Sequence, residues 1–166
     1  MYRCPECDFT YDLSEASVAG RMIWEGITDV VTILRGHAVV DLRTRRQPTV
    51  WSPLEYGAHL RDVLLVQRER VLAARRTDRA DCLPMGRDER VDHDGYAEQE
   101  CEDVARQLTD AALMFSNVLD RLASSDWTRS VIYHYPESHE RSLRWVAVHT
   151  VHEVRHHLFD IRRQLA

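Results

Sequence analysis

Leu143-Arg144-Trp145-Val146-Ala147-Val148-His149-Thr150-Val151-His152-Glu153-Val154-Arg155-His156-His157-Leu158-Phe159-Asp160-Ile161-Arg162-Arg163-Gln164-Leu165 carries both a helical signal and a concentration of reactive side chains. Leu143, Ala147, Val151, Val154, Leu158, Ile161 and Leu165 step by four or three, the period of one buried helix face. The spacing predicts a helix from about His139 to the chain end. Four of the nine histidines fall between His149 and His157, and the ligand-type pairs His152/His156 and Glu153/His157 are each one turn apart.

Three more stretches have the same period. From about Ser14 to Arg45, Ile23, Ile27, Val30 and Leu34 mark one face, weakened by Gly20, Gly26 and Gly36. The next begins with a capping box: Ser52 at the N-cap, Pro53 at the first helical position and Glu55 three residues after the cap. Trp51 and Tyr56 occupy the positions of a hydrophobic staple, and the helix is read to about Arg76. The third, from about Gln99 to Ser124, carries Val104, Leu108, Ala111, Phe115, Val118 and Leu122. Between Thr77 and Glu98 the sequence reads as irregular, a long link that lets two consecutive helices run parallel. Val131 to Pro136 reads as extended. The expected architecture is an all-α four-helix bundle (14–166) with a long crossover between its second and third helices, preceded by a short appendage (1–13).

Composition narrows the function. With 166 residues and 44% hydrophobic content, the chain has enough apolar material for one core. A net charge of −5 argues against nucleic acid as the main partner. All 22 basic residues are arginine; without lysine there is no P-loop lysine, Schiff-base lysine or Ser–Lys dyad. The arginine bias also suggests a GC-rich genome. No apolar run reaches membrane-spanning length and the start lacks the apolar stretch of a signal peptide, so the expectation is a cytoplasmic protein with no membrane partner.

Helix phase chooses between the two pairs. At about 100° per residue, His157 lies about 80° from the centre of the apolar stripe, Glu153 about 120° and His156 about 180°. A bundle metal site needs inward or flanking groups, which favours Glu153/His157. Trp145, Val148 and Phe159 form a secondary apolar patch that keeps His152/His156 as the competing register. A further ligand has to come from another helix, and His59, on the flank of the second stretch, is the candidate. Two histidines and a carboxylate with positions left open form a catalytic rather than a closed site. Asp62 or Asp160 is placed to hold a ligand imidazole by its other nitrogen.

Glu153-x3-His157-x2-Asp160-Ile161, together with His59-Leu60-x-Asp62, resembles the DinB-like superfamily over roughly Ser14 to Leu165. That group includes mycothiol-dependent maleylpyruvate isomerases and related thiol S-transferases. The resemblance implies an up-down-down-up bundle holding a divalent metal, zinc or nickel, on His59, Glu153 and His157. Glu153 stands where many relatives have histidine, as in the isomerase-type variant. The implied chemistry is activation of a low-molecular-weight thiol such as mycothiol, or of water, toward a small electrophilic substrate.

A second signal lies at the other end. Cys4-Pro5-Glu6-Cys7 is one knuckle of a rubredoxin- or zinc-ribbon-like site without its second half. Three readings stand: a structural zinc completed by Cys82 and Cys101 or by His93, a redox switch, or a tight turn without metal. The rival to an enzyme is therefore a non-catalytic metal- or redox-sensing bundle that uses these cysteines. A homodimer is compatible with a bundle of this size. Arg61, Arg68 and Arg155 are candidates to face the cavity and bind a carboxylate.

Overall fold

In the computed structural model, which describes residues 2–166, α1 (Ala19–Gly36), α3 (Pro53–Arg76), α5 (Cys101–Leu119) and α6 (Leu143–Leu165) form the bundle. Two shorter helices, α2 (Val39–Arg43) and α4 (Arg87–His93), lie in the connections. The capping box forms as its residues dictate: Ser52 Oγ accepts from the Glu55 backbone N–H and the Glu55 carboxylate accepts from that of Ser52. Such a cap contributes about 1 kcal/mol. Trp51 packs on Tyr56 at 5.5 Å between ring centroids, the staple expected of their positions.

Neighbouring contacts fix the helix directions. Gly20 meets Ser116 while Arg35 pairs with Glu102, so α1 and α5 are antiparallel. Gly57 approaches Val104 and Arg61 reaches Gln107, so α3 and α5 are parallel. Gly26 meets Val154 and Asp29 pairs with Arg162, which makes α1 and α6 parallel. The order is therefore up-down-down-up, and around the ring α1 packs on α5, α5 on α3, α3 on α6 and α6 back on α1. The segment from 77 to 100 is the crossover that parallel α3 and α5 require.

Several boundaries differ from the sequence reading for local reasons. The first helical stretch breaks after Gly36, leaving α2 as a separate short helix, and it opens with a 3-10 segment at Leu13–Val18. The last helix starts at Leu143, because Ser142 caps it and Ser138–Ser142 is strand β3. The crossover is not irregular throughout: Ala80–Cys82 (β1) pairs in parallel with Ser130–His134 (β2), which pairs in turn with β3 as a hairpin. This small sheet ties the crossover to the segment that leads into α6.

Tyr2–Tyr11 forms a tight turn laid against α6. Cys4 N–H donates to Phe9 O at 2.8 Å and Asp8 N–H to Cys4 O at 3.0 Å, with Asp8 in the left-handed region at φ 60°. Cys4 and Phe9 are buried in the same apolar cluster as the bundle helices. Among the described residues no helix is long and apolar enough to cross a membrane.

Candidate metal centre

His59 sits on the second turn of α3, and Glu153 and His157 sit one turn apart on antiparallel α6. The structure brings them together: one ligand-type atom from each lies within 4.8 Å of the others. The His59 and His157 rings are 5.0 Å apart, and His157 Nε2 is 3.7 Å from a Glu153 oxygen. His157 Nδ1 lies 3.1 Å from Asp160 Oδ2, so the Asp160 carboxylate holds that ring by its other nitrogen. Asp62, the other candidate for this task, is engaged elsewhere: it accepts from Arg61, Arg90 and Tyr96. His59 is only 4% exposed and its Nδ1 is buried without a hydrogen-bond partner.

Burial and charge act together on these groups. Burial, with His157 adding to it, pushes the His59 imidazole down to about 3, so the ring is neutral at pH 7. His149 is likewise pushed down to about 4 by burial, against the pull of Glu153. Burial alone would raise Glu153, but His152, His149, His157 and His59 surround it and hold its carboxyl well below the usual range. A half-buried carboxylate flanked by the neutral His59 and His149 rings is an electron-rich pocket.

All three residues line a cavity of about 670 Å³. Its walls come from α3 (His59, Gln67, Arg70), α6 (His149, His152, Glu153, His156, His157), β2 (Tyr133) and the crossover (Pro84 to Glu89). The crossover therefore has a second task beyond carrying the chain back so that α3 and α5 run parallel, because it closes one side of the cavity. Arg70 Nη1 donates to the Tyr133 hydroxyl at 2.7 Å and Nη2 to Leu83 O at 2.6 Å, fixing the crossover to the bundle. Gln67 donates to the same hydroxyl at 3.2 Å.

Arginines at the cavity are not those expected. Arg61 is buried in an ion-pair network with Asp62 and Asp94, Arg68 pairs with Glu69, and Arg155 lies over the Phe9 ring on the far side of the knuckle. The cavity is lined instead by Arg70 and Arg87. Arg70, which the sequence reading does not single out, occurs three residues after Gln67 on the same face, the one signal that could have found it; Tyr133 has none beyond lying in an extended stretch.

The competing pair, His152 and His156, is also brought into a group, but a different one. With Cys4 and Cys7 these residues offer four ligand-type atoms within 4.8 Å of one another. Cys82 lies on β1 and Cys101 opens α5; among the described residues neither they nor His93 joins Cys4 and Cys7 in such a group. The two registers of α6 are therefore not alternatives: one faces α3 and the other faces the knuckle. Overlapping groups drawn from α6 alone, His149/His152/Glu153 and His156/His157/Asp160, share these residues.

The fold and the helix order have a solved counterpart. YfiT from Bacillus subtilis, described as a probable metal-dependent hydrolase with an unusual four-helix bundle topology, superposes with a TM-score of 0.84 at 12% identity. The match covers 98% of this chain and 91% of that one. Among curated proteins no sequence matches. The profile of the DinB superfamily matches residues 25–161, which contain α3, the crossover and the clustered side chains of α6. With its sequence matched by that profile over most of its length, the chain belongs to the DinB superfamily.

Proposed function

We propose that the protein is a metal-dependent enzyme in which His59, Glu153 and His157 hold a divalent cation, zinc or nickel, that activates a low-molecular-weight thiol or water toward a small electrophile. The observation that carries this reading is that all three side chains converge on an open cavity rather than on each other alone. The donor set fits a cation. A half-buried carboxylate and two imidazoles form a ligand set for a transition metal, and the unpartnered His59 Nδ1 shows that this ring lacks the partner a buried nitrogen ordinarily has. Bound there, a divalent cation would supply Lewis acidity, lowering the pKa of an incoming water or thiol toward neutrality.

The chain's own groups do the rest. Asp160 accepts from His157 Nδ1–H, leaving Nε2 turned toward Glu153 and the cavity. The Tyr133 hydroxyl accepts from Arg70 and Gln67, which leaves its own proton for an acceptor in the cavity. Arg70 and Arg87 line the wall opposite α6 together with Asp88 and Glu89, so that wall offers both charges to a polar substrate or thiol. The description of YfiT makes hydrolysis the first reaction to assay, with mycothiol-type transfer beside it.

The test uses protein purified without a polyhistidine tag. Metal content and rates on a panel of activated esters, amides and thiol–electrophile pairs are compared between wild type and His59→Ala/His157→Ala. The variant is expected to lose this metal and all metal-dependent rate. Equal metal content in the two proteins would sink the assignment. Loaded wild type that turns over nothing on the panel, while still losing metal in the variant, would make this a binding bundle.

A further inference from the structure

We propose a second metal centre, independent of the first, in which Cys4, Cys7, His152 and His156 bind zinc in a closed tetrahedral site and clamp the N-terminal knuckle to α6. Distance supports it. With Zn–S about 2.3 Å and Zn–N about 2.0 Å, a tetrahedral site puts sulfur and nitrogen about 3.6 Å apart. Cys4 Sγ and His156 Nδ1 are 3.7 Å apart, and all four ligand-type atoms lie within 4.8 Å of one another. Two thiolates with two imidazoles and no open position are the donor set of structural zinc.

Hydrogen bonding gives an independent argument. His152 Nε2 is buried and has no partner. Its Nδ1 and the Nδ1 of His149 both lie 2.8 Å from the Tyr11 hydroxyl. That hydroxyl has one proton, so it donates to one ring and accepts from the other. If Tyr11 donated to His152, the His152 proton would sit on buried Nε2 with no acceptor. The satisfied arrangement has His152 Nδ1–H donating to Tyr11 and Tyr11 donating to His149 Nδ1. The His149 proton then lies on Nε2, 3.6 Å from Glu153 Oε1. His152 Nε2 is left as a buried lone pair on a residue that stands within ligand distance of both cysteines, which is what a metal ligand presents.

The surroundings are built in the same sense. His156 Nε2 lies 3.6 Å from Asp160 Oδ2 and 3.7 Å from Glu6 Oε2, so carboxylates stand at one ring nitrogen while Nδ1, the other, is the one near Cys4. Phe9 packs on the His152 ring at 5.4 Å and lies under Arg155. Cys4 and Phe9 are the knuckle's buried apolar groups, with Cys7 and Tyr11 partly buried beside them, and a metal would add directly to holding it in place. Because Glu6, His152 and His156 also line the large cavity, this clamp forms part of its wall.

The experiment is a cobalt titration of reduced, metal-free, untagged protein. Wild type and His59→Ala/His157→Ala are both expected to show thiolate-to-cobalt charge transfer and the strong visible absorption of a tetrahedral ion, saturating at one per chain and displaced by zinc. Cys4→Ala/Cys7→Ala is expected to lack these bands. Should that variant fail to fold, alkylation of wild type decides: zinc is expected to slow modification of Cys7 by about tenfold, with chelation restoring it. The proposal is overturned by absence of the charge-transfer band in reduced wild type, by its survival without the cysteines, or by alkylation indifferent to zinc. Loss of metal only from the His59/His157 pair would remove this proposal and leave the catalytic reading standing.

Discussion

Asp62 shows how far a single buried carboxylate is committed. Burial alone would raise its pKa, but Arg61, Tyr96 and Arg90 outweigh that and hold the group below the ordinary carboxylate range. Arg61 Nε donates to Oδ1 at 2.8 Å, and Arg90 and the Tyr96 hydroxyl donate to Oδ2 at 3.0 and 2.7 Å. Because the folded value is depressed, the unfolded chain binds a proton first as the solution is acidified. The stabilisation is therefore complete above the unfolded value of about 3.9 and is lost as pH falls through the folded one. Asp62→Asn is expected to cost about 3–5 kcal/mol at pH 7, the usual penalty for breaking a buried ion pair. Urea unfolding at pH 7 and again at pH 3 should show that difference shrinking in acid; a constant difference would mean that the carboxylate's charge is not what matters. The network also explains why the residue does not hold an imidazole: its oxygens are already filled from the crossover and α3.

Among the elements, α1 and α6 meet closely at Gly26. A Cβ built on Gly26 would lie 2.5 Å from Val154 Cγ1, so glycine here lets α6 settle deep against α1 with Glu153 beside the contact. Gly26→Ala is expected to destabilise by about 1–3 kcal/mol through overpacking, despite the better helix propensity of alanine. Adding Val154→Ala to it should cost less than Val154→Ala costs alone, a coupling that thermal melts of the four proteins would resolve. Helices such as these were legible in the sequence because their signals are local. Ser52, Pro53 and Glu55 specify a start within four residues, and the stripe from Leu143 to Leu165 specifies a face. The sheet was not legible: Ala80 pairs with Val131, and nothing in a three-residue strand announces a partner so distant. His59, Glu153 and His157 could be grouped by helix phase, since each lies on a flank of its own helix. His152 and His156 read as a rival register because helix phase alone does not reveal that the knuckle covers their side of α6. Once Cys4 and Phe9 cover that side of α6, the face of His156 is no longer an outer one. Arg70 and Tyr133 meet only through the folded crossover, which no local pattern encodes.

At the scale of the whole molecule, segments far apart in sequence converge on one helix: the knuckle, α3, the crossover and β2 all meet α6 around its histidines. Ligand binding that fixes this convergence should be felt globally. Zinc at about one hundred times its dissociation constant is expected to add about 2.7 kcal/mol to folding stability. For a chain of this length that is a rise in Tm of about 5–11 °C, reversed by a chelator, in calorimetry of untagged protein. No change in Tm with zinc would argue against metal binding to the native state at either cluster. The crowding of α6 has a consequence for how this segment can vary. His152 and Glu153 face one turn down to His156 and His157, so each donor pair spans the same three intervening positions. A single residue inserted or deleted between Glu153 and His156 would turn everything beyond it by about 100°. It would separate both pairs at once, whereas point changes can remove either alone. Chains descended from this one can thus trade ligands residue by residue, but the length of this turn is not free to drift.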